Sequence, residues 1–207
     1  MGSGTMLEKL DKKELTSFIC LLVIICGFIG WNIEVIFYYI DSGFKTIYWR
    51  GGNFLPWINI YAWGALLMLT LSYKNREHPL LVFLISTASA GLLELLSGYF
   101  LYGVLGWTKS WDYNQEIFSS VNIGGYVSLR SLLGFGIGGL FLIYILVPLL
   151  VKLVTSKYKK QVFIISIVIC SIIMIDELYN LIFAHLLNTP RARDIYRPLG
   201  LKYLYFN

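Results

Sequence analysis

Five stretches of this chain are almost wholly apolar, and short polar breaks separate them. They run from about Leu15 to Ile40, Pro56 to Tyr73, Leu80 to Leu105, Gly125 to Val154 and Val162 to Leu187. A helix needs about 20 apolar residues to cross a bilayer. The pattern therefore predicts an all-α fold, a polytopic membrane helical bundle of about five transmembrane spans. Two breaks are long, polar and aromatic, Asp41 to Leu55 and Gly106 to Gly124, and read as outer loops. The domain plan is simple: 1–14 a tag remnant and charged interfacial lead-in, 15–187 a single transmembrane bundle, 188–207 an interfacial C-terminal tail. The opening MGSGTM reads as the remnant, with Met6 the native start, and no cleavable signal peptide is expected.

Composition agrees. The 207 residues are 57% hydrophobic and only 14% charged, against about 25% charged in soluble domains. One membrane domain fills the length, and no GxxxxGK[ST] loop occurs, so ATP-driven work would need another polypeptide. Cys20, Cys26 and Cys170 all fall in apolar runs and read as small hydrophobes, without metal or disulfide. The net charge of +5 concentrates at segment ends, as topology requires, and is no sign of nucleic acid. His78 and His185, near segment ends, read as plain interfacial histidines.

Polar residues inside the runs carry the chemistry. Arg130 lies in the fourth run, where an arginine costs several kcal/mol unless it faces protein or water and finds a partner. Its candidate partners are Glu34, Glu94, Asp176 and Glu177. Gly27, Gly30 and Glu34 share one helix face, and so do Thr87, Gly91, Glu94 and Gly98. In both, small residues beside a carboxylate let another helix approach. Gly134 and Gly138 are expected to favour close packing in the fourth run, with Pro148 kinking or ending it. GFGIGG lies in that apolar helix and reads as a packing surface. Asp176 and Asn180 face the same way, whereas Asp176 and Glu177, being adjacent, should not face the same partner. In the loops, Arg50 with Gly51 and Gly52 suits a tight turn and either an anionic head group or a snorkelling position. Trp111, Asp112, Tyr113 and Asn114 read either as a recognition lid or as an interfacial turn with an Asx-type cap at Asp112.

Lys9, Lys12, Lys13, Lys74, Arg76, Lys152, Lys157, Lys159 and Lys160 fall on one side of the bundle, against Lys45, Arg50 and Lys109 on the other. The positive-inside rule puts the N-terminus in the cytoplasm. Five spans then leave Arg191, Arg193, Arg197 and Lys202 outside, against the bias. In this arrangement Glu34 and Arg130 lie roughly 9–14 Å below the outer face. The pieces converge on an outward-opening cavity lined by Glu34, Arg50, Glu94, Trp111, Asp112, Tyr113, Asn114, Asn122, Ser128, Arg130, Ser131, Asp176 and Asn180. Four buried carboxylates against one arginine call for protonation, hydration or a cation, and hence for a cationic substrate or a proton-coupled step. The plainer reading is a structural Arg–Glu tie between helices.

Several motifs together resemble a known family. Gly30, Trp31 and Glu34 are followed by RGGNFLPWINIYAWG from Arg50 to Gly64, then by Glu94 and Gly98. WDYN from Trp111, NIGGYVSLRSLLGFG from Asn122 to Gly136, and Pro148 complete the set. In order and spacing this is similar to the bacterial membrane family labelled ABC-transporter type IV, or CmpB-like, over roughly Gly27 to Pro148. The resemblance implies a plasma-membrane permease-like subunit. Its expected partners are the lipid bilayer and an ATPase in trans, with a second copy of the chain left open, and no cofactor is expected. An intramembrane enzyme acting on a lipid, lipoprotein or cell-envelope precursor, with Glu94 or Glu34 as acid or base, stays open as an alternative. So does a non-catalytic scaffold or regulatory subunit.

Overall fold

The computed structural model describes residues 6–206. The first five residues, where a tag remnant is expected, and the side chain of His185 lie outside the described residues. Asp11 starts the first helix: its carboxylate accepts from the amides of Lys13 and Glu14 while Glu14 reaches back to the Asp11 amide. This reciprocal cap opens α1 at Lys12, three residues before the apolar run, and α1 continues to Asp41. The other helices are α2 (Asn59–Ser72), α3 (Pro79–Val104), α4 (Leu129–Val154), α5 (Lys159–Phe183) and the short α6 (Ala192–Tyr196).

Four helices, α1, α3, α4 and α5, are long and apolar enough to cross a membrane. The second expected span is not: α2 has 14 residues, about 21 Å against a hydrocarbon core of about 30 Å. The reason lies just before it. Pro56 to Ile58 do not join the helix. Together with Arg50–Leu55 they form a non-helical segment that enters the bundle, where the Trp57 indole donates to the Val23 carbonyl at 3.0 Å and the Ile58 amide to Gly27. Irregular backbone at such depth persists only where protein satisfies it. Asp176 on α5 does this, accepting from the Phe54 and Leu55 amides at 3.0 and 2.8 Å. Its neighbour Glu177 accepts from the side chains of Asn53 and Asn59. The two adjacent acids thus take different partner residues, as expected, although these lie close together in the chain at the entry to α2.

The fourth helix also starts later than the apolar run. Asn122–Ile123 (β1) and Val127–Ser128 (β2) pair antiparallel, Asn122 with Ser128 and Ile123 with Val127. Gly124 and Gly125 turn the hairpin at φ of +61° and +76°, a region open to glycine. Ser128 then caps α4, its hydroxyl accepting from the Ser131 amide. Arg130 is therefore the second residue of the helix and stands beside the loops, not within the apolar span.

Packing divides the bundle into two halves. Phe18 and Leu22 of α1, Met68 and Leu69 of α2 with Tyr73 just after it, Val82 of α3, and Leu142, Ile143, Leu146, Val147, Leu150, Val151 and Val154 of α4 form one buried apolar core. At this end Lys159, starting α5, pairs with Glu14, so α1 and α5 begin together. The Ser72 and Ser86 hydroxyls meet at 3.0 Å, and a Cβ at Gly139 would strike Ser86, so three helices touch through small residues. The close-packing glycines of α4 are Gly136, against Phe83, and Gly139. At the expected pair, Gly134 and Gly138, nothing lies within 4 Å of where a Cβ would stand. Gly134 and Gly138 lie in the first half of α4, which packs chiefly on α3; the helix packs on α1 through Val147–Val154, and at its start the Arg130 guanidinium reaches Phe37. A π-helical turn, Leu142–Leu146, marks the change.

At the opposite end the tail passes between the two long loops. The Trp49 amide donates to the Lys202 carbonyl, and the Phe206 amide donates to Lys109. The Ala192 amide that starts α6 is bound by Asn180.

Candidate functional site

Above the apolar core the splayed helices enclose a cavity of about 1260 Å³. Polar side chains gather at its loop end, and apolar ones line the wall between α1 and α4.

Arg50 is 4% exposed and fully engaged. Its Nε donates to Glu34 at 2.8 Å, its Nη2 to the Ser110 carbonyl at 2.7 Å and its Nη1 to the Leu204 carbonyl at 3.5 Å. The guanidinium also stacks 4.0 Å over the Tyr38 ring. It neither snorkels nor stands open for a head group; it joins the first loop, the second loop, the tail and α1. Gly51, at φ +75°, makes the turn that carries it inward.

Arg130 pairs with Glu116, not with any acid of the membrane helices: its Nη2 donates to Oε2 at 2.7 Å. Glu116 also accepts from the Tyr38 hydroxyl at 2.6 Å and from the Asp112 amide. The guanidinium lies 3.9 Å over Phe37 and 5.2 Å from the Tyr113 ring. The balance of four carboxylates against one arginine is thus corrected twice. Arg50 supplies a second buried cation, and Glu116 a carboxylate that was not counted. Each arginine takes one acid.

Glu94 has no cation within salt-bridge distance among the described residues. Tyr113 donates to its Oε1 at 2.6 Å and Ser131 to its Oε2 at 2.8 Å. Burial, then the neighbouring Glu94, push the Tyr113 phenol well above its ordinary range, so the hydroxyl keeps its proton and stays a donor. A Cβ at Gly91 would strike Leu132, and one at Gly98 would press on Tyr126 and Trp111. On α1, Gly27 and Gly30 lie under the rings of Trp57 and Tyr61. The small residues beside both glutamates therefore receive aromatic and aliphatic side chains from neighbouring elements.

The thirteen sequence-predicted residues separate into two groups. Glu34, Arg50, Glu94, Trp111, Tyr113, Arg130, Ser131 and Asn180 line the cavity. Asp112, Asn114, Asn122, Ser128 and Asp176 stand behind it and build its walls. Asp112 Oδ1 accepts from the amide and side chain of Asn114, an Asx turn, while Lys109 holds Oδ2 at 2.9 Å. Asn122 binds the Ser119 carbonyl and the Gly125 amide. The WDYN stretch is thus a capped turn that also turns Trp111 and Tyr113 into the cavity. Sequence reasoning passed over Glu116 and Tyr38. Tyr38 follows Glu34 by four residues on one helix face, a signal that was available; Glu116 sits in an irregular loop and carries no periodic mark.

Residues 21–181 match the model of the family described as Putative ABC-transporter type IV. The chain belongs to this family. Neither the curated proteins nor the solved structures gave a match. The match reaches past the Gly27–Pro148 stretch of motifs to most of α5, and so includes Asp176 and Asn180. The ABC-transporter type IV assignment and the four long apolar helices agree on a bacterial, multi-pass, permease-like membrane protein.

Proposed function

We propose that this chain is the membrane subunit of a transporter whose substrate occupies the polar cavity, with an ATPase supplied in trans. The observation that carries the proposal is the cavity itself, charged at its loop end and closed at the other by the apolar core. That is the form of a site open to one side of the membrane. In this reading α2 completes a fifth crossing with the buried Arg50–Ile58 segment, the N-terminus is cytoplasmic and the cavity opens outward. The basic turns at Lys74–His78 and Lys157–Lys160 then face the cytoplasm and form the docking surface for the ATPase. Native purification with mass spectrometry of retained proteins tests this directly. A stoichiometric ATPase that is lost when Lys157, Lys159 and Lys160 are changed to Glu supports the proposal; an ATPase that remains bound to that variant, or none from the native membrane, counts against it.

A second reading, chemistry on a lipid or cell-envelope precursor, draws on Glu94. A carboxyl held by two hydroxyl donors and lining a cavity can carry a proton. It requires turnover by the purified chain alone, abolished by Glu94→Gln in a folded protein.

A further inference from the structure

The cavity differs in two ways from one shaped for a small soluble solute. At about 1260 Å³ it exceeds the roughly 300–1,000 Å³ of most small-molecule pockets. It also has an apolar side: Ile33 on α1 and Ile137 and Phe141 on α4 line it while being 52%, 63% and 42% exposed. Those exposed side chains sit mid-helix on two spans that separate at this level, so the wall between them opens toward acyl chains.

The loop end carries charge of both signs, but only part of it is accessible. In the Arg50–Glu34 pair the arginine side chain is 4% exposed and the glutamate 21%; in the Arg130–Glu116 pair the glutamate is 1% exposed and the arginine 26%. Each pair seals one partner and opens the other. Between them the two pairs present an accessible carboxylate, Glu34 on α1, and an accessible guanidinium, Arg130 on α4, while Glu177, Arg191 and Arg193 also line the cavity.

We infer that the occupant is a zwitterionic amphiphile taken sideways from the bilayer, with its anionic group on Arg130, its amine on Glu34 and its chain leaving between α1 and α4. An aminophospholipid has this chemistry. Arg130 suits a phosphate because the guanidinium offers further N–H donors beyond those given to Glu116 and Ile117. The inference rests on the cavity being the substrate site, but not on the ATPase.

The test is native mass spectrometry of the full chain in detergent, titrated in turn with phosphatidylethanolamine, phosphatidylglycerol and soluble phosphoethanolamine. Phosphatidylethanolamine should bind at one site at least about tenfold more tightly than either of the others, a difference of about 1.4 kcal/mol. Arg130→Gln should remove that preference. Ile137→Trp, which fills the opening without touching either ion pair, should weaken phosphatidylethanolamine binding by a similar factor and guards against an Arg130 variant that fails to fold. Equal retention of both lipids, or no effect of Ile137→Trp, overturns the inference. Phosphoethanolamine binding as tightly as the lipid overturns it in favour of a soluble solute. Co-purification of the ATPase is read separately, so loss of lipid preference with the ATPase retained rejects this inference and leaves the transport reading standing.

Discussion

Arg130 and Glu116 meet at 2.7 Å across fourteen residues of loop and hairpin, and the glutamate is sealed from solvent while the arginine is not. The pair fixes the second outer loop to the start of α4, and through Tyr38 to α1. Removing one member leaves the other desolvated. Glu116→Ala should lower stability by roughly 2–3 kcal/mol, below the 3–5 of fully buried pairs because Arg130 stays partly open. The double variant Glu116→Ala with Arg130→Met should be less destabilised than the sum of the singles. Thermal unfolding in detergent, read as a double-mutant cycle, checks this; additive losses would mean the two side chains do not interact.

The hairpin glycine and the cavity glycines should respond oppositely to alanine. Gly125 has φ +76°, and a Cβ there would collide with Asp112 Oδ1 and Asn114 Nδ2. Gly125→Ala should cost about 2 kcal/mol or more and expose the WDYN loop to protease. Gly138 is helical and has nothing within 4 Å of a Cβ. Gly138→Ala should be neutral or stabilising by up to about 1 kcal/mol. A loss of stability at Gly138 would show that α4 and α1 close together there.

These cases show what was legible in the sequence. Apolar runs found all five bundle helices, because burial in lipid demands long continuous stretches. Spacing of three and four placed Gly27, Gly30, Glu34, Gly91 and Glu94 on faces that do meet neighbours. Two kinds of fact escaped. Which of several glycines packs, Gly136 and Gly139 instead of Gly134 and Gly138, depends on the angle between helices, and composition does not encode that angle. The partner of Arg130 lies in an irregular loop, where no period ranks Glu116 above its neighbours. Likewise Pro56–Ile58 are apolar enough to read as helix. Asp176 and Glu177 on α5, together with the Val23 and Gly27 carbonyls of α1, supply the partners that let the backbone there stay non-helical.

Asp176 gives the sharpest local prediction. Two amides, Phe54 and Leu55, depend on its carboxylate. Asp176→Ala should leave both unpaired, at a cost of about 1–3 kcal/mol each, and speed their hydrogen exchange. Asp176→Asn keeps one acceptor oxygen and should have a smaller effect. Unchanged protection in Asp176→Ala would mean that the segment finds other partners.

The second outer loop should be acid-sensitive. Burial alone would raise the Asp112 carboxyl, but Lys109, the Asn114 amide and Gln115 outweigh it and hold the group below the ordinary carboxylate range. A depressed folded-state value means that the stabilisation is complete above the unfolded value, about 3.9, and is lost as pH falls through the folded one. Protease resistance of the loop should therefore decline below about pH 4. Asp112→Asn should show lower resistance at neutral pH and a flatter response to acid. An acid response identical to that of the parent chain would assign the effect to another group.

The ends of the bundle predict where reagents reach the chain. Lys159 pairs with Glu14 at one end, while Lys202 bridges to Tyr48 at the other, so the start of α5 and the tail lie on opposite faces. An N-terminus inside would put the tail, which is tied to the two loops, outside. Tyr158 and Leu199 are 55% and 72% exposed and suit cysteine substitution once Cys20, Cys26 and Cys170 are replaced by Ala. A membrane-impermeant maleimide should label Leu199→Cys in intact cells and Tyr158→Cys only after permeabilisation. The reverse pattern would invert the orientation and place the cavity mouth in the cytoplasm. Labelling of both from one side would show that α5, the one long apolar helix between the two positions, does not complete a crossing.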